Sequence, residues 1–168
     1  MCEVVSKKSQ KYSRTLWCVI FALSLFWGIH INASEHTTTE EGKFADVVSV
    51  KFTGKPNAYR FSVGIKSPDT GCDQYADWWE VLSEDGKLLY RRILLHSHVD
   101  EQPFVRSGGP VGIEPDTKVW IRAHINTAGY GGKVFKGSVQ DGFKETESDA
   151  DFAKDVEKKP PQPEGCAF

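Results

Sequence analysis

Two stretches of the chain alternate strictly between apolar and polar side chains. In Tyr59 to Lys66 (YRFSVGIK), Tyr59, Phe61, Val63 and Ile65 fall on one face and Arg60, Ser62, Gly64 and Lys66 on the other. In Lys118 to Asn126 (KVWIRAHIN), Val119, Ile121, Ala123 and Ile125 oppose Trp120, Arg122, His124 and Asn126. A period of two marks a strand buried on one side only. Between these stretches, Tyr75 to Val99 reads as a β-hairpin, with Trp78 to Leu82 and Leu88 to Leu95 as its strands. Its turn, Ser83-Glu84-Asp85-Gly86-Lys87, fits a type I turn closed by a left-handed glycine. Ala45 to Phe52 is predicted as the first strand and Lys133 to Val139 as the last. Short strands are expected near Phe104-Val105 and Val111-Ile113, in a Pro- and Gly-containing stretch suited to a sheet edge.

The pattern gives about seven or eight short strands with turn signals every ~8–12 residues, and no helix in the core. This is the signature of an all-β, antiparallel two-sheet sandwich. Its predicted core is Phe61, Val63, Ile65, Trp79, Val81, Val119, Ile121 and Ile125. Over Lys43 to Val139 the chain resembles an immunoglobulin or fibronectin type III module in size and strand spacing. The inter-sheet Cys…Trp…Cys spacing of antibody domains is absent, and a likeness of fold implies no function.

The two ends differ from this middle. Lys7, Lys8, Lys11 and Arg14 precede an apolar run from Leu16 to Ile29, and small residues follow to Ala33-Ser34. That is the form of a secretory signal peptide spanning residues 1–33, cleaved after Ala33, with 34–42 as a polar linker. The run is shorter than the ~18–20 apolar residues of a spanning helix. A membrane link is therefore expected only if this segment stays uncleaved. Cys18 lies early in the run, which does not read as a lipoprotein cleavage site. At the other end, residues 140–168 carry eight acidic and four basic residues and three prolines. Such a tail is expected to be mostly disordered unless Cys166 tethers it, with room for a short helix near Ser148 to Lys159. Cleavage leaves only Cys72 and Cys166, which either pair in an oxidising compartment or remain free thiols.

Chemistry enters through the polar faces. If Ser83 pairs with Lys87, Trp78 lies opposite Arg92 and Glu80 opposite Tyr90, beside the polar face of the Lys118 to Asn126 strand. Trp78, Glu80, Tyr90, Arg92, Trp120, Arg122 and His124 would then share one surface. That ladder either covers the sheet or forms a contact face for a protein or carbohydrate, with partial exposure expected. Tyr130, in the glycine-rich turn Ala128 to Gly132, is a candidate for presentation at the sandwich end, as is the loop Arg106 to Pro110. His96 and His98 have the His-x-His spacing of a strand-borne metal site for zinc or copper, with His124 as a third ligand; otherwise they hydrogen-bond within the protein. Net charge is −2, from 21 basic and 23 acidic residues, and no basic cluster follows the N-terminus. Nucleic acid is not an expected partner. No nucleophile elbow, zinc-protease motif or phosphate loop occurs. The first reading is an exported, non-catalytic binding module in the periplasm or outside the cell. The alternatives are a zinc- or copper-binding protein and an enzyme of unknown type.

Overall fold

The computed structural model describes residues 42–149 and 151–167. The proposed signal peptide and most of the linker lie outside the described residues. Eight strands form two antiparallel sheets: β1 (Asp46–Lys55), β2 (Ala58–Lys66), β3 (Ala76–Ser83), β4 (Leu88–Ile93), β5 (Phe104–Val111), β6 (Val119–Ile125), β7 (Val134–Ser138) and β8 (Gly142–Thr146). One sheet has the order β1-β2-β5 and the other β4-β3-β6-β7-β8. A 3₁₀ helix, η1 (Lys154–Lys158), is the only helical element among the described residues.

The alternation seen in the sequence sets the packing. Phe61, Val63 and Ile65 of β2, Trp79 and Val81 of β3, and Val119, Ile121 and Ile125 of β6 all have no accessible surface. They join one core cluster drawn from both sheets. The expected strands near Phe104-Val105 and Val111-Ile113 are a single edge strand, β5, whose pairing with β2 slips between Tyr59 and Phe61. Gly108 is needed there. A side chain at that position would collide with the Trp79 ring at 2.9 Å and with the Tyr90 hydroxyl at 2.6 Å.

Two differences from the sequence pattern bear on function. The chain does not leave the sheet at Val139. Residues 142–146 return as β8 along β7, and Phe143 packs edge-on to Phe61 at 5.7 Å and to Phe52 at 6.0 Å. The segment is only five residues long and two of them are charged, so its strand character comes from this pairing rather than from its own pattern. The rest of the tail is also packed. It crosses the outer face of the five-stranded sheet and ends at a Cys72–Cys166 disulfide, with Cα atoms 5.5 Å apart. Ala167 N–H donates to the Leu95 carbonyl.

Candidate functional site

The central hairpin closes as its sequence predicts. Ser83 N–H donates to the Lys87 carbonyl, Gly86 N–H donates to Ser83, and Gly86 has φ 82°. Leu82 pairs with Leu88, but the next pair is Val81 with Tyr90. Leu89 is thus an extra residue, a β-bulge, and everything beyond it is displaced by one position. Glu80 lies opposite Arg91, Trp79 opposite Arg92 and Trp78 opposite Ile93. A one-residue slip exchanges the faces of a strand. Tyr90 and Arg92 therefore turn towards the inter-sheet side, with Tyr90 5.6 Å from the Trp79 ring. Arg91 takes the place opposite Glu80 that was expected for Tyr90, and Ile93 the place opposite Trp78 that was expected for Arg92.

On the outer face, β6 lies beside β3 as expected, with Glu80 opposite Arg122 and Trp78 opposite His124. Glu80 is wholly buried and both carboxylate oxygens are used. Oε2 accepts from Arg91 Nε at 2.9 Å and Nη2 at 2.7 Å, and Oε1 accepts from Arg122 Nε at 2.8 Å. The remaining guanidinium N–H groups point outward into the tail. Arg122 donates to the carbonyls of Phe152 (2.6 Å) and Ala153 (3.0 Å). Arg91 donates to those of Val156 (2.6 Å), Lys159 (2.7 Å) and Pro161 (3.1 Å). Five tail carbonyls are thus held by two arginines around one carboxylate. A guanidinium suits this role because it stays charged and carries five donors in a fixed fork. Two of these carbonyls, those of Ala153 and Val156, also accept from the Val156 and Lys159 N–H groups within the tail.

Apolar contacts complete the cover. Val156 is fully buried. The Phe152 ring lies 5.1 Å from that of Trp120, and Lys136 Nζ lies 4.4 Å from the Trp120 ring. Ala153 crosses directly over the hairpin turn, where any side chain at Gly86 would meet its Cβ at 2.8 Å. The expected partly exposed ladder is therefore corrected. Trp78, Glu80, Arg122 and His124 are buried, Trp120 is half-buried, and the occupant of the face is the chain's own tail.

Tyr130 is not presented to solvent either. Its hydroxyl accepts from Trp78 Nε1 at 3.2 Å and its ring lies 3.5 Å from the Arg122 guanidinium. Burial first, and then the Glu80 charge, push its phenol well above the usual tyrosine range. The proposed loop Arg106 to Pro110 is part of β5.

The histidines do not assemble as a metal site. β4 ends at Ile93, so His96 and His98 stand in the following loop rather than on a strand. The loop turns because the buried Asp69 carboxylate captures His98 N–H at 2.8 Å, while also accepting from Ala76 N–H at 3.0 Å. The His98 ring stacks on Phe104 at 3.8 Å and lies 4.5 Å from that of His96. His124 is committed elsewhere. It stacks on Trp78 at 3.7 Å, shares a 2.6 Å hydrogen bond with Asp77 through Nδ1, and has Nε2 3.7 Å from Glu157 of the tail. Among the described residues, no group of three or more His, Cys, Asp or Glu side chains could hold a metal ion.

Sequence reasoning missed Arg91, Asp69, Asp77 and the tail anchors Phe152 and Val156. Arg91 and Arg92 are indistinguishable without the bulge, and a single valine in an acidic segment carries no periodic signal.

Comparison with known proteins adds one relative. A protein of Halomicrobium mukohataei named "Putative lipoprotein" is 39% identical over 114 residues, covering 66% of this chain and 55% of that protein. The chain thus spans about half the length of the relative it matches. No family model matches the chain, and no solved structure matches it.

Proposed function

We propose that the chain is an exported, non-catalytic β-sandwich module that binds a protein or carbohydrate through the loop end of the sandwich. Export is supported by the charged and apolar N-terminal segments, by the disulfide and by the name of the relative. The strand order supports a place among immunoglobulin and fibronectin type III sandwiches: β1-β2-β5 opposes β4-β3-β6-β7, with β8 as an added edge strand. A non-catalytic role is supported by the outer face, where Glu80, Arg91 and Arg122 are spent on holding the tail.

The observation that carries the binding reading is where along the chain the exposed apolar side chains fall. Four large hydrophobic residues are exposed among the described residues, and three of them, Leu95, Val99 and Val105, fall in one short stretch. Scattered exposed apolar residues are ordinary, whereas a concentration of them marks an interaction surface. The test is binding of the mature protein to arrays of glycans and of cell-surface proteins, alongside a Leu95→Asp/Val99→Asp variant. The reading expects a ligand that the wild type retains and the folded double variant loses. Equal retention by both would contradict it.

A further inference from the structure

The bulge in β4 has placed a cation where a sandwich ordinarily places an apolar side chain. Arg92 pairs with Trp79, a fully buried core residue, and so shares its inward face. Arg106 pairs with Val63, also fully buried, and shares the inward face of the other sheet. β4 and β5 are the edge strands of their sheets on the same flank. Both side chains therefore reach the open side of the sandwich.

They line a pocket of about 90 Å³ together with Ile93, Leu94, Leu95, His96 and His98. Its polar groups are short of partners. Arg92 Nε is buried with no hydrogen-bond partner, and neither ring nitrogen of His98 has one, although His98 is only 4% exposed. Unpartnered buried donors are costly, and a native fold that keeps several together has something else to satisfy them. Two carboxylates are near, and both are engaged. Glu101 accepts from both Nη atoms of Arg106, at 3.4 and 2.9 Å, and Nη1 also donates to the Val105 carbonyl at 2.9 Å. Asp69 accepts the His98 backbone N–H, with its Oδ2 3.9 Å from His98 Nδ1. The lining itself carries two guanidiniums and no carboxylate, which disfavours a metal ion and favours an anion. The pocket is too small for a sugar ring and suits a compact group of a few heavy atoms. Arginine forks match the geometry of such oxyanions.

We propose that this pocket binds a single tetrahedral oxyanion, sulfate or phosphate, free or as the ester group of a larger ligand, gripped by Arg92 and Arg106 with His98 donating from the buried side. The site is distinct from the tail-covered face, and it stands whether or not the loop end binds a partner.

The test is a thermal-shift and NMR titration of the mature protein with inorganic sulfate, inorganic phosphate and glucose 6-sulfate, each against sodium chloride of equal ionic strength. At least one oxyanion should raise the melting temperature beyond the chloride control and shift the His98 ring signals. Arg92→Gln should weaken that binding at least tenfold, and Arg60→Gln, on the exposed face of β2, should leave it unchanged. Tighter binding of the ester than of the free ions would assign the group to a carbohydrate ligand, and the reverse order to the free ion; either supports the site. If Arg92→Gln fails to fold, Arg106→Gln serves in its place. Responses no larger than chloride, or full binding by the folded arginine variant, would overturn the proposal.

Discussion

Glu80 is a carboxylate out of solvent between two guanidiniums that are themselves nearly inaccessible. Replacing a whole buried ionic group with apolar side chains is often harmless, but removing one partner strands the others. Glu80→Gln is therefore expected to destabilise the fold by ~3–5 kcal/mol in urea denaturation. The exposed pair of Glu84 with Lys136 supplies the contrast, and Glu84→Gln should cost ~0–1 kcal/mol. His98 gives the pH dependence. Burial, reinforced by the charges of Arg106 and His96, holds its imidazole below the usual histidine value. The unfolded chain then takes up a proton at His98 before the folded chain does. Stability should fall as pH drops below ~6.5, and the loss should end once folded His98 also titrates. His98→Gln should flatten this part of the profile of melting temperature against pH; an unchanged slope would show that His98 is not its source. At this scale the sequence was readable only in part. The residue types of the polar face were plain, but the choice between Arg91 and Arg92 depended on Leu89, whose bulging leaves no mark on the alternation around it.

Strands whose two faces differ strongly were legible as elements. β2 and β6 carry an unbroken period of two, and their inward residues form the core as read. Ile121→Ala should accordingly cost ~2–5 kcal/mol by chemical denaturation, and a negligible change would mean that the residue does not face the core. β8 and the tail were not legible, for the same physical reason. Each gains its order from one neighbour and a few anchors, not from a repeating apolar stripe. Phe143 fixes β8 against Phe61 and Phe52, while Val156, Phe152 and the arginine–carbonyl bonds fix the tail. Composition had marked the tail as unable to order itself, and its order indeed comes from donors on the sheet and from the disulfide. That bond closes a loop with a sequence separation of 94 residues. Cys166→Ser should lower stability by ~2–4 kcal/mol, read from denaturant midpoints under non-reducing conditions.

Across the described residues, the sandwich and its strap form one unit: the tail is the outer layer of the five-stranded sheet. Under the proposed binding role, the surface open to a partner is the loop end and flank around Leu95 to Val105, because the aromatic and arginine ladder is covered by the tail. Export fits the same arrangement, since the strap is tied by a bond that oxidising compartments maintain. The most direct test of the strap is hydrogen–deuterium exchange of the native mature protein, read on peptides covering residues 152–161. The amides of Val156 and Lys159 donate within the strap to Ala153 and Val156 carbonyls. These amides should exchange far more slowly than in an unstructured peptide of the same sequence, and Glu80→Gln should accelerate them. Exchange at the unstructured rate in the intact, disulfide-bonded protein would contradict the account and return the face of Trp78, Glu80 and Arg122 to solvent.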